Sequence, residues 1–197
     1  MAHAAEILIP KDEINQRFAI ARSIAISSYG SYENSLANLF TYFMGTAPDI
    51  AGISFFKINN ARSRLAILGR LLKKRHGSEY NLFWNSIEKL LKPFDSKRNE
   101  IVHWAVDTSI NSDIQPGGAV TDVKLTPPNF WDQDENSPEI TINDLYDFIV
   151  KANFFSRVLN VFHRTISGEY PVSPAWREIS LQPVIYPPPS NHPLCQN

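Results

Sequence analysis

The chain has 197 residues, 43% of them hydrophobic, which is enough for one domain with a sizeable apolar core. Its formal net charge of -1 excludes a global attraction to polyanions, so affinity for nucleic acid or an anionic membrane has to come from local segregation of charge. The single cysteine, Cys195, excludes an intrachain disulfide framework and a cysteine-based metal cluster.

Residues 1–10 carry Glu6 and only a short apolar run, Ile7, Leu8 and Ile9, without the basic and hydrophobic regions of a secretory signal peptide. The uncharged run 34–48 is too short and too polar to span a bilayer. The expected location is cytoplasmic, with no membrane partner. After Pro10, apolar and small residues from Ile14 and Phe18 through Ala21, Ala25, Ser28, Tyr32, Leu36 and Leu39 to Phe43 recur at steps of three and four, which predicts one amphipathic helix over 11–44. Gly30 is a point for a break, because glycine costs about 1 kcal/mol relative to alanine inside a helix. A second helix is predicted over 53–74, with Phe56, Ala61, Leu65, Leu68, Leu71 and Leu72 inward.

Its outer positions are basic. Lys57, Arg62, Arg64, Arg70, Lys73, Lys74 and Arg75 fall in a stretch with no acidic residue. Such a stripe attracts phosphate and makes these seven residues candidates for RNA binding. The same residues also suit a plain solvated face, with the last three offsetting a helix dipole.

His76, Gly77 and Ser78 form a predicted turn, with Gly77 ending one helix and Ser78 capping the next. Phe83, Trp84, Ile87, Leu90 and Leu91 face inward on that next helix until Pro93, where a kink or restart is expected over 92–95. The restarted helix runs to about residue 106 and carries Arg98, Asn99 and His103. At about 100° per residue, Asn99 and His103 lie roughly 40° apart on one face and Arg98 borders it. Residues 107–118 read as turn-rich, and 119–125 alternate as a short strand. Between residues 132 and 147 there are six acidic residues and no basic one, so the acidic charge lies far in sequence from the basic stripe. Thr141 with Asp144 reads as a capping box for a final helix, whose stripe runs from Leu145 to Ile166 before Gly168 closes it. From Tyr170 onward seven prolines favour extended structure, with Trp176 or Ile179 to Leu181 docking on the domain or pairing with the Val120 strand, and the last ten residues unstructured. The predicted organisation is a helical domain over 1–169 and a proline-rich tail over 170–197.

The helical order over 11–168, with Arg98, Asn99 and His103 in its later part, resembles the HEPN superfamily. In that family an arginine is followed after four to six residues by a histidine, and a polar residue, often asparagine, comes directly after the arginine. With ten arginines, five histidines and sixteen asparagines in the chain, the full triplet arises by chance about 0.02 times, so the asparagine carries most of the specificity. Arg157 and His163 meet the loose spacing but have Val158 in place of the polar residue, and this second pair reads as incidental.

The resemblance implies an all-α bundle of four or five helices, and the residue pattern adds a small irregular or β insertion near residues 107–140 and an extended proline-rich tail. It implies a homodimer in which motif helices from two copies face each other, and a metal-independent endoribonuclease with no cofactor. Arg98 and His103 would be catalytic, with Asn99 orienting the histidine or holding a phosphate oxygen. An imidazole moves the proton of a 2′-hydroxyl or of the leaving group, and a guanidinium neutralises the phosphorane. A toxin or defence role, with a protein antitoxin as partner, is a further implication. Ala105, however, stands where toxins paired with a nucleotidyltransferase carry tyrosine. Glu100 also places negative charge inside the motif, and some members of the family only bind nucleotides or proteins. A non-catalytic nucleotide-binding or protein-interaction domain is therefore the alternative, alongside an unrelated helical domain in which Arg98 and Asn99 brace the turn at Pro93. His3, His76, His163 and His192 lack metal-ligand spacing, Gly117 and Gly118 lack the lysine of a phosphate loop, and no serine elbow occurs.

Overall fold

Asp12 starts the first helix: its carboxylate accepts the backbone N–H of Asn15 at 2.7 Å, which meets one of the donors that a helix start leaves over. In this computed structural model, which describes residues 12–111, 113, 119–128, 137–168 and 171–195, the helix that follows (α1) is Glu13–Met44. It matches the predicted span and runs unbroken through Gly30. The described residues contain six α-helices and a two-stranded antiparallel sheet. They group into two compact units, one formed by the described residues within 1–27 and 99–150 and the other by those within 28–98 and 151–197.

In the first unit, Phe18, Ala21 and Ala25 of α1 are buried, as is Ile101 near the end of the helix Asn81–His103 (α4). That helix stops at His103, short of the predicted end near residue 106, because the chain then enters a strand, Ala105–Asn111 (β1), in a region expected to be turns. The strand pairs antiparallel with Ala119–Thr126 (β2), in the register Val106 with Leu125 and Thr108 with Val123, and with a bulge between Ser109 and Ile110. Only β2 carries a buried side: Val123 and Leu125 are in the core, whereas Val106 and Ile110 are exposed. This explains why only β2 was legible in the hydrophobic pattern. Ile140 bridges to Leu125 and leads into the helix Ile142–Ser167 (α5). Its start has the expected reciprocal cap. Thr141 N–H donates to Asp144 Oδ2 at 2.8 Å, and Asp144 N–H donates to Thr141 Oγ1 at 3.3 Å.

In the second unit, the predicted single helix over 53–74 is two helices, Pro48–Lys57 (α2) and Ala61–His76 (α3). Asn60 causes the division: its backbone is extended and its side chain accepts the N–H of Ser63, which caps a new helix. Phe56, expected inward, is exposed, and Phe55 is buried instead. Gly77 ends α3 at φ +63° with its N–H on the Lys73 carbonyl, as predicted. The next helix begins at Asn81 rather than beside Ser78, after a turn over 77–80.

Helix α4 continues through Pro93, where a kink or a restart was expected, so the restart does not occur. The missing N–H leaves the carbonyl of Lys89 without its donor, and both residues are exposed, so water can take that donor's place. Gly69 of α3 lets Trp84 of α4 approach closely: a Cβ there would lie 2.6 Å from the indole nitrogen, which instead donates to Glu88 at 2.9 Å. Phe83 stacks on Phe162 of α5 at 4.2 Å between centroids.

The tail is more ordered than expected. It contains the helix Pro174–Ile179 (α6) and a 3-10 turn, Pro193–Cys195. Val184 is buried and its N–H donates to Ser86 Oγ at 2.7 Å. Tyr186 and His192 pack on Phe154 at 5.2 and 5.7 Å. The described part of the tail therefore docks on α4 and α5, and none of its described residues forms a strand. No helix among the described residues is long and apolar enough to cross a membrane.

Candidate functional site

Arg98, Asn99 and His103 all lie on α4, and the continuity of that helix sets their spacing. Asn99 and His103 are exposed and, four residues apart, share one face. His103 is the last residue of the helix, where the peptide dipoles leave partial negative charge.

A residue that the sequence reading passed over organises this helix end. The Arg22 guanidinium donates from Nε to the Ile101 carbonyl at 2.8 Å and from Nη2 to the carbonyls of Val102 and Trp104 at 3.0 and 3.1 Å. Three backbone acceptors on either side of His103 are thus satisfied by one side chain from α1. Burial lowers the Arg22 pKa from its usual value, but guanidinium stays charged at any physiological pH. Arg22 also lines a cavity of 350 Å³ with Asn15, Phe18, Ser23, Ile26 and Val106. The only sequence signal for this role was a charged residue directly after Ala21 on the inward stripe of an amphipathic helix.

Arg98 has different surroundings. It is half-buried, and its guanidinium carbon lies 5.3 Å from the centroid of the Tyr29 ring, a cation–π distance. Tyr29 donates its hydroxyl hydrogen bond to Asp95 Oδ1 at 2.8 Å. Burial is the main cause raising the Asp95 pKa, and it outweighs the Tyr29 hydrogen bond and the charges of Arg64 and Arg98, which lower it. Burial likewise raises the Tyr29 pKa, with the Asp95 charge adding to the effect. Tyr29, Asp95 and Arg98 therefore form an electrostatic group, and neither Tyr29 nor Asp95 stood out in the sequence.

The seven residues of the basic stripe divide in two. Arg64 is internal: it pairs with Glu33, donates to the Ile58 carbonyl at 2.8 Å and covers the rings of Phe55 and Phe56 at 5.1 and 5.5 Å. Arg75 donates to the Tyr42 carbonyl at 2.8 Å and stacks on the Tyr42 ring at 4.1 Å. Lys57, Arg62, Arg70, Lys73 and Lys74 are exposed. Arg62 also borders a cavity of 460 Å³ with Leu65, Glu88, Lys92, Asp95 and Ser96. Four of those neighbours are polar, two of them acidic. Among the described residues, no group of three histidine, cysteine or carboxylate side chains is placed to hold a metal ion. The chain matches no protein-family model, and neither the curated proteins nor the solved structures compared with it give a match.

Proposed function

We propose that the chain is a HEPN-like, metal-independent endoribonuclease in which His103 and Arg98 act on RNA with the help of Asn99. The observation that supports this reading is the exposure of Asn99 and His103 on one face of an unbroken helix, with Arg98 next in sequence. In the reaction, a base removes the proton of a 2′-hydroxyl and the 2′-oxygen forms a bond to phosphorus. The bond from phosphorus to the 5′-oxygen breaks, and an acid gives that oxygen a proton. The product ends are a 2′,3′-cyclic phosphate and a 5′-hydroxyl. One imidazole can carry out either proton transfer, and a second copy of the chain supplies the other. Arg98 balances the charge on the pentacoordinate phosphorus.

RNA would be held by the exposed part of the basic stripe: Lys57, Arg62, Arg70, Lys73, Lys74 and Arg75. Reversing charge at Arg62 and Arg70 is expected to lower the salt dependence of single-strand binding by about 0.7 in log–log slope per lost phosphate contact. An unchanged slope makes the stripe an ordinary solvated surface. Purified protein should cleave single-stranded RNA in the presence of a chelator, and His103→Ala should remove that activity.

A second reading is favoured by the engagement of Arg98 with Tyr29 beside Asp95, which occupies the guanidinium. In it, the motif binds a nucleotide or a protein partner without chemistry. It predicts RNA or partner binding with no turnover by either wild type or His103→Ala.

A further inference from the structure

Arg22 uses only part of its guanidinium on the end of α4. One bond from Nε and two from Nη2 go to the carbonyls of Ile101, Val102 and Trp104. A guanidinium carries five N–H donors, so the two on Nη1 are left over, and no described residue accepts from them. No described carboxylate forms an ion pair with Arg22 either. The dipole of the helix end offsets about half a unit charge. Arg22 therefore combines net positive charge, two unused donors and a position fixed by three backbone contacts.

The same residue lines a cavity of 350 Å³, within the usual size range of small-molecule sites. Ala19, Arg22 and Ile26 follow at steps of three and four and form one stripe of α1 along it, with Phe18 and Ser23 beside the stripe. Val106 of β1 contributes from the sheet. Its register partner is Leu125, which is fully buried. Directly opposite residues share a face of the sheet, so Val106 belongs to the core side and is nonetheless 50% exposed. Ile26 is 40% exposed. Two branched aliphatic side chains are thus left uncovered around one cationic group.

A dianion such as a phosphomonoester would lose its hydration among aliphatic side chains, with two N–H groups and the Ser23 hydroxyl as the replacement. A carboxylate carries one charge and is served by these few donors. A hydrocarbon tail behind it would cover the exposed parts of Ile26 and Val106. We propose that this cavity binds a small monocarboxylic acid with an apolar tail, its carboxylate on Arg22 and its tail against Phe18, Ile26 and Val106. None of these residues belongs to the Arg98, Asn99 and His103 motif, and occupancy of the cavity does not depend on RNA cleavage.

Calorimetric titration of the full chain with hexanoate, hexanamide and acetate at neutral pH tests it. Hexanoate is expected to bind with a Kd below about 1 mM. Hexanamide keeps the tail without the charge, acetate keeps the charge without the tail, and each should bind at least about tenfold more weakly. Because Arg22 also holds the end of α4, the location is tested at Ala19, an exposed residue of the lining. Ala19→Trp places a large side chain in the cavity, is expected to keep the circular dichroism of wild type, and should lose about tenfold or more in affinity for hexanoate. Absence of hexanoate binding up to about 10 mM, or unchanged affinity in Ala19→Trp, overturns the proposal. Equal affinity for hexanoate and hexanamide removes the role of Arg22, and equal affinity for hexanoate and acetate removes that of the aliphatic lining. Either result overturns the ligand class.

Discussion

Arg22 and Asp95 are single residues whose placement governs the surroundings of the α4 motif, and each carries a prediction. Arg22→Ala removes three donors from the carbonyls of Ile101, Val102 and Trp104. A hydrogen bond from a charged group contributes about 1.5–3 kcal/mol, and water can reach a half-buried helix end once the side chain is gone. The expected loss in urea unfolding is about 2–3 kcal/mol. A loss below about 0.5 kcal/mol shows that the helix end does not need Arg22. Asp95 has a raised pKa, so the folded protein holds its proton more tightly than the unfolded chain does. Its contribution to stability is therefore largest below the ordinary value of 3.8 and falls as pH rises from there through the folded value. Asp95→Asn keeps an acceptor for the Tyr29 hydroxyl and loses the charge. The variant's stability should fall less than that of wild type as pH rises through this window. Parallel stability curves across the window contradict the burial argument. Neither residue was legible in the sequence, because a charge adjoining an apolar stripe is ordinary and only the fold reveals which acceptors it meets.

At the level of elements, hydrophobic period and capping chemistry located α1, α5 and β2 well, since each buries one face and has a defined end. The failures share a cause. The α2–α3 break depends on the Asn60 cap, and the apolar spacing continues across it. Strand β1 exposes Val106 and Ile110, so it lacks the buried alternation that reveals a strand. At Pro93 a kink or a restart was expected, and the restart is absent because the exposure of Lys89 and Pro93 removes the need to break the helix. The Thr141 and Asp144 cap is the element-scale feature that can be tested on its own. Thr141→Ala loses the hydroxyl that accepts the Asp144 N–H and donates to its carboxylate. It should lower stability by about 1 kcal/mol, seen as a lower melting temperature. An unchanged melting temperature would mean that packing alone sets the start of α5.

At the level of the molecule, a predominantly helical chain with a small antiparallel insertion agrees with what the residues predict. The tail agrees in docking on the domain, one of its two expected placements, but Val184, Tyr186 and His192 make contacts with the aromatic surface of α5 and a serine of α4 that proline content did not single out. The candidate site was legible as a triplet of residue types, because spacing on a helix fixes which residues share a face. The contacts of Arg22 with the end of α4, and separately those of Tyr29 with Asp95 and Arg98, were not, since they bridge long stretches of chain. The proposed chemistry uses two histidines, so a second copy has to complete the site. Light scattering should give a mass of twice 22.4 kDa at micromolar concentration, and a strict monomer in the conditions of cleavage would exclude a shared site.

The central claim is that His103 moves a proton during RNA cleavage. Its most direct test compares wild type and His103→Ala on a labelled single-stranded RNA in chelator, following cleavage and product ends. The predicted result is wild-type cleavage leaving 2′,3′-cyclic phosphate ends, with a loss of about a hundredfold or more in the variant and little change in RNA affinity. Equal cleavage by the two proteins, or no cleavage by wild type on any RNA, would contradict it.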